Sequence, residues 1–340
     1  MKKIFIMIIL SLFVLTGIAG ADESVTLKYA NKTPLQAPVM AKGYVPMLKL
    51  IEDSAQGVLK IEIFAGGTLG RDPGQLIKHL RNGLVDIVHL YLPNYPGLFP
   101  DATVFNMPFM IQNGVEGSLA SYNLAVKGLM RGYDDFVVLA QDTTDVMRIH
   151  TNFPVKTPKD LKGKKIRGSG KFQVDLLKSC GAVPVSMPTE KVAENISRGL
   201  LQGVLCDSSA LYDFRINDVT NWYLMVPFGP VAIAELMYRP AYDRLSKKAQ
   251  MAIAKFAGRP FALAAGSIMT EYADAQIERA RNDGKTTLYT PNKAEMKEWK
   301  LALQPIVDKW INESPKNAKL YAALQKELEW IRAGNFTPSP

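Results

Sequence analysis

The residues with chemistry to offer are few and widely spaced. Gly168-Ser169-Gly170-Lys171 has the outline of a phosphate loop, but Phe172 stands where a Walker loop needs Ser or Thr, and the upstream glycine is misplaced. The same turn fails the Gly-x-Ser-x-Gly nucleophile elbow, because one residue separates its two glycines. His79, His89 and His150 lack the close spacing of metal ligands, and each reads as a helix-surface or core histidine. Cys180 and Cys206 carry no local signature of a thiol nucleophile, and no dinucleotide fingerprint occurs. These spacings support no catalytic centre, no metal site and no cofactor. The expectation is a protein that binds rather than transforms, and not an enzyme.

The first residues point to export. Lys2 and Lys3 precede an almost wholly apolar run from Ile4 to Ile18, and Ala19-Gly20-Ala21 supplies a small-x-small cleavage pattern before Asp22-Glu23. The run is shorter than the ~20 residues of a membrane span, and no cysteine near the cleavage pattern suggests a lipid anchor. A signal peptide over 1–21, cut near Ala21, is expected, with the mature chain in the periplasm. Its loss removes two lysines and lowers the formal charge from +9 to +7. The basic residues are scattered rather than gathered in an arm or stripe, which argues against nucleic acid. Anionic small molecules, an anionic membrane surface, or plain solvation remain as uses of that charge. A mature chain of about 320 residues buries a core without staples, so free, buried thiols are expected at Cys180 and Cys206, although an oxidising compartment would let them pair.

The elements that would hold a binding site alternate between strand and helix. Strands are expected at Val25–Ala30, Leu59–Phe64 and Val85–Leu90, with helices over Gln36–Gln56 and Asp72–Asn82 between them. After a helix over 113–132 come a strand at Phe136–Gln141 and an extended Val146–Thr151. A second series then repeats the rhythm: strand Lys165–Arg167, helix Phe172–Ser179, strand Ala182–Ser186, helix Thr189–Leu200, strand Gly203–Cys206. Strand Ala232–Tyr238, one long helical stretch over Ser246–Asn282, strand Thr286–Tyr289 and helices near 292–312 and 315–333 complete the chain. Such alternation reads as α/β, and two lobes leave a cleft beyond the carboxyl ends of their strands.

Three stretches also carry a resemblance. They are Lys60–Gly83 (KIEIFAGGTLGRDPGQLIKHLRNG, followed by LVDI), Phe99–Phe109 (FPDATVFNMPF) and Thr157–Gly203 (TPKDLKGKKIRGSGKFQVDLLKSCGAVPVSMPTEKVAENISRGLLQG). In this order they resemble the periplasmic solute-binding subunits of TRAP (tripartite ATP-independent periplasmic) transporters, the dicarboxylate and organic-acid binders. The shared pattern is a GG-x-LG turn with a GxxD strand start, a segment ending in Pro-Phe, then DLKGxKIR, GAxPVxM and a GxxDG turn. The resemblance runs from about Val25 to Trp310. It implies a two-lobed periplasmic binding protein, each lobe a mixed, mostly parallel sheet flanked by helices, with the ligand cleft between lobes. Lobe I is expected from 22–145 plus about 234–273, lobe II from 146–233 plus about 274–333, and a frayed tail at 334–340.

The resemblance also assigns candidate ligand-binding residues. The arginine that ends the family's KIR strand clamps the ligand carboxylate, and here it is Arg167. A guanidinium fork meets a carboxylate with two parallel hydrogen bonds. Arg148 falls where relatives carry a second pocket arginine, and Gly170, like Gly168, lets backbone approach a ligand. The family's Asp-Gly is Gln202-Gly203 here; the asparagine after it falls near Cys206, beside Asp207, and a frequent aromatic is replaced by Thr189. Thr33 and Tyr91 are expected on the rim of lobe I, and Tyr212, with Phe214, on lobe II. Aromatic walls with one arginine suit an aromatic or apolar monocarboxylate, and a small dicarboxylate or sugar acid stays open. The implied partners are the small carboxylate and the TRAP integral membrane subunits, driven by an ion gradient. The alternatives are an ATP-driven importer's binding protein, a periplasmic sensor domain, or a periplasmic enzyme acting on acids.

Overall fold

The structure is a computed structural model that describes residues 24–70 and 72–339; the expected signal peptide lies outside them. The strands are β1 (Val25–Ala30), β2 (Leu59–Phe64), β3 (Ile87–Tyr91), β4 (Phe136–Thr143), β5 (Met147–Thr151), β6 (Lys165–Arg167), β7 (Val183–Val185), β8 (Gly203–Asp207), β9 (Trp222–Leu224), β10 (Ala232–Tyr238) and β11 (Thr287–Tyr289). They form two sheets, ordered β2-β1-β3-β10-β4 and β11-β9-β5-β8-β6-β7. Both sheets are mixed. In the first, β2, β1 and β3 run parallel, and β10 is antiparallel to β3 and β4. In the second, β5 is antiparallel to β8 and β9, and the remaining pairs are parallel.

Alternation along the strands explains why both sheets are covered on both faces. In β10, Ala232, Ala234 and Leu236 join one apolar cluster with Val88, Leu90 and Leu119, while Met237 joins another with Leu27, Tyr29 and Ile87. In the second sheet, Ile149, Ile166, Leu205 and Leu224 pack on Trp299 and Leu303. The opposite face carries Val204, Cys206 and Tyr223 against Val192, Ile196 and Leu211.

The chain crosses between the sheets at 144–146 and again at 225–231. These two crossings are tied together: Thr144 N donates to Val231 O at 2.9 Å, and Val231 N to Thr144 Oγ1 at 3.0 Å. Gly229 sits in the second crossing at φ +80°, with the Asn106 backbone so close that a Cβ would stand 2.5 Å from its carbonyl carbon. The helix Arg259–Arg281 is the third crossing. It packs beside the helix Gly114–Val126 and places Ala280 in the cluster under β8.

Three expectations need correction. The single long helix over 246–282 is two, Lys247–Phe256 and Arg259–Arg281, broken at Gly258 (φ +78°), where Pro260 starts the next helix. The helix Pro315–Arg332, expected with lobe II, packs on the first sheet's side, because Leu320, Leu324, Leu328 and Ile331 share a cluster with Phe105 and Leu119. The tail is not frayed at Ser339: its N–H and hydroxyl serve the buried network of Glu327 and Lys127, with Lys127 Nζ donating to Ser339 Oγ at 2.7 Å. A buried carboxylate needs donors on every side, and the tail supplies one.

Candidate ligand-binding site

β6 is a three-residue strand held in the sheet by β7 and β8, so its last residue emerges at their carboxyl ends. That residue is Arg167, in register with Val204 and Val185. Its side chain is held from below: Nε donates to Met187 O and Nη2 to Thr189 Oγ1, both at 3.0 Å. Nη1 has no hydrogen-bond partner among the described residues, and no carboxylate there lies within ion-pair distance. The residue is only 7% exposed. Burial disfavours its charge, and the nearby Cys206, Asp207 and Glu190 only partly offset that.

The register of β5 on β8 sets Arg148 opposite Cys206, and β8 carries Cys206 on the same face as Arg167. Arg148 is committed to its own lobe: Nη1 donates to Asp145 Oδ2 at 2.9 Å, to Val146 O at 3.1 Å and to Ser208 Oγ at 3.3 Å. Burial raises the Asp145 carboxyl to about 6, against the pull of Arg148. Cys206 is buried, and burial pushes its thiol up while Arg167 opposes. Cys180 is also free, in the cluster on the other face of the sheet. Asp207 ends β8, takes a hydrogen bond from Ser209 Oγ, and is raised by burial.

Across from β8, the first sheet contributes Tyr91 at the end of β3. Its hydroxyl lies 3.2 Å from Thr33 Oγ1. Burial pushes the phenol to about 12 against that hydrogen bond, and the charge of Asp207, from the other sheet, adds to the shift. The structure therefore brings Arg167, Thr189, Cys206 and Asp207 of one sheet toward Tyr91 and Thr33 of the other, with Arg148 on the same wall. Gly170 opens the helix Gly170–Ser179 at φ +73°, with open space where a Cβ would stand, so backbone can be approached there. Tyr212 packs beside the cluster that holds Val204 and Cys206, with the Arg279 guanidinium over its ring at 3.9 Å. Lys171 of the glycine turn is exposed and bonds Asp175 at 2.7 Å.

One group was not foreseen. His89, Asp142 and Glu235 lie on the first sheet at 2% exposure or less, where Tyr44 Oη donates to Asp142 and His89 Nδ1 meets Glu235. The signal was a single polar residue inside each of two apolar strands, VHLY and IAELM.

A solute-binding protein of Albidiferax ferrireducens is 23% identical over 58% of this chain. The 2,3-diketo-L-gulonate-binding periplasmic protein of Escherichia coli K12 is 24% identical over 60% of it. The alignments span 60% and 63% of those two relatives' lengths. A solved structure from a marine metagenome, a TRAP solute-binding protein specific for aromatic acid ligands and holding 3-hydroxybenzoate, is 26% identical. It covers 90% of this chain and 98% of its own, with a TM-score of 0.82. Residues 31–314 match the family described as bacterial extracellular solute-binding protein, family 7, and this chain belongs to it.

Proposed function

We propose that this protein captures an aromatic or otherwise apolar monocarboxylate in the periplasm and delivers it to TRAP membrane subunits, with Arg167 gripping the carboxylate. One observation carries the reading: among the described residues, Arg167 is a buried cation with no carboxylate at ion-pair distance and an unspent Nη1. An unpaired buried charge is costly, and an anion entering from the cleft relieves it. Nη1 and the second hydrogen of Nη2 are free to meet its two oxygens, while Met187 and Thr189 hold the fork in place. Arg148, tied to Asp145, contributes positive potential from the same wall. Tyr91 and Thr33 close over the ligand from the other lobe, and the two paired crossings are the hinge. The aromatic-acid preference of the metagenome relative supports the ring-bearing class. Export is by the signal peptide, cut near Ala21, and the protein releases its ligand unchanged.

Calorimetry with benzoate tests this directly. Charged hydrogen bonds contribute on the order of 1.5–3 kcal/mol each, so Arg167→Ala should lose affinity by at least about 100-fold with an unchanged circular dichroism spectrum. Wild-type affinity in that variant refutes the clamp.

A further inference from the structure

Behind Tyr91 the first sheet holds polar groups that the fold leaves unsatisfied. Strands β3, β10 and β4 are neighbours, so His89, Glu235 and Asp142 share a face with Tyr29 of β1. Asn31 follows Tyr29 on the same alternation and is 1% exposed. Tyr44 occupies one oxygen of Asp142 and Glu235 occupies Nδ1 of His89. Asp142 Oδ1, His89 Nε2 and both polar atoms of the Asn31 side chain are left buried without a partner. Native folds rarely leave such atoms bare, and several on one wall need an explanation. The cluster borders the cleft through Tyr91, whose ring centroid is 5.1 Å from that of His89. Tyr91 lies within range of the charges of Asp142 and Glu235 on one side and Asp207 on the other.

We propose that Asn31, His89, Asp142 and Glu235 form the second pole of the ligand site, receiving a neutral hydroxyl remote from the ligand's carboxylate and rejecting a second carboxylate there. The inference rests on the Arg167 reading for the direction in which the ligand lies. A hydroxyl both donates and accepts, so it can satisfy His89 Nε2 and the Asn31 amide, on adjacent strands, together. A second carboxylate would be buried beside Glu235, with His89 already committed to Glu235, a like-charge arrangement that the site opposes. Burial, then the charge of Glu235, lifts the Asp142 carboxyl to about 8, which also favours a neutral partner over a cationic one. An unsubstituted ring would leave the orphaned atoms bare, and sites built for a hydroxyl discriminate strongly against its absence.

The test is calorimetry of the full chain with benzoate, 3- and 4-hydroxybenzoate, isophthalate and terephthalate. One hydroxybenzoate should bind at least tenfold tighter than benzoate, and the dicarboxylate substituted at the same ring position should be the weakest. Asn31→Ala and His89→Gln should each erase the hydroxyl advantage, read within each variant as the ratio of hydroxybenzoate to benzoate affinity. A hydroxyl advantage below threefold in the wild-type protein overturns the proposal without touching the clamp, as does a dicarboxylate that binds as well as its hydroxy analogue. An advantage that survives in both folded variants also overturns it. Failure of all five acids to bind overturns it together with the aromatic-acid reading.

Discussion

Asp142 illustrates how much a single side chain's setting decides. An aspartate ordinarily titrates near 3.8, and this one is pushed to about 8 by burial and by Glu235, against the Tyr44 hydrogen bond and the His89 charge. The folded state therefore holds the proton more tightly than the unfolded chain does. Its stabilising share is complete below about pH 4 and is lost as pH rises toward 8. Asp142→Asn has no proton to lose. Melting temperatures from pH 5 to 8 should show the wild type falling relative to the variant, and parallel profiles would refute a raised Asp142. Burial opposes protonation of His89, but Glu235 raises it overall, so His89 too holds its proton more tightly when folded and adds to the fall above its ordinary 6.5. The strand-ending place of Arg167 was legible in the sequence because an arginine before two close glycines is a local pattern, whereas its bond to Thr189, 22 residues on, was not. Nor was the first-lobe cluster. His89 and Glu235 are 146 residues apart, and only strand register makes them neighbours. The cover over Tyr212 was not legible for a related reason: Arg279, whose guanidinium lies on its ring, comes from a distant helix.

Among the elements, the paired crossings at 144–146 and 225–231 are the proposed hinge. Gly229 is required there twice over, by φ +80° and by the Asn106 backbone beside it. Gly229→Ala should cost about 1–3 kcal/mol for the backbone conformation, with the collision added. Urea denaturation should record that as a lower midpoint with an unchanged slope, and a midpoint equal to wild type would show that this crossing tolerates a side chain. Most strands were readable from alternation, residue for residue at β1, β2, β6 and β10 and to within two residues elsewhere, while β9 was not foreseen. The break at Gly258 was not, because Ser246–Asn282 keeps helical composition throughout and the kink is dictated by Gly258-Arg259-Pro260.

At the scale of the molecule, ligand capture is a balance between two arrangements of the sheets. A ligand shifts that balance only by contacting the closed form better. Wild-type protein should therefore become more compact in small-angle scattering when benzoate is added, and Arg167→Ala should not. Compaction in both would mean that closure is driven from somewhere other than the clamp. The α/β architecture followed from the alternation of strands and helices, whereas the placement of the final helix on the first sheet did not, since its amphipathic pattern says that it packs but not on what. The position of β10 between β3 and β4 has a further consequence. A chain delivered amino end first presents β1 to β4 with a gap between β3 and β4, and the strand that fills it arrives only after the whole second sheet except β11 has been synthesised. The amino-terminal half alone therefore exposes two open strand edges, of the kind that seek partners on other chains, and its native pairing is a long-range event of the slow kind. Neither half should be expressible as an independent unit, and the newly exported polypeptide is at its most vulnerable until the second crossing has been made.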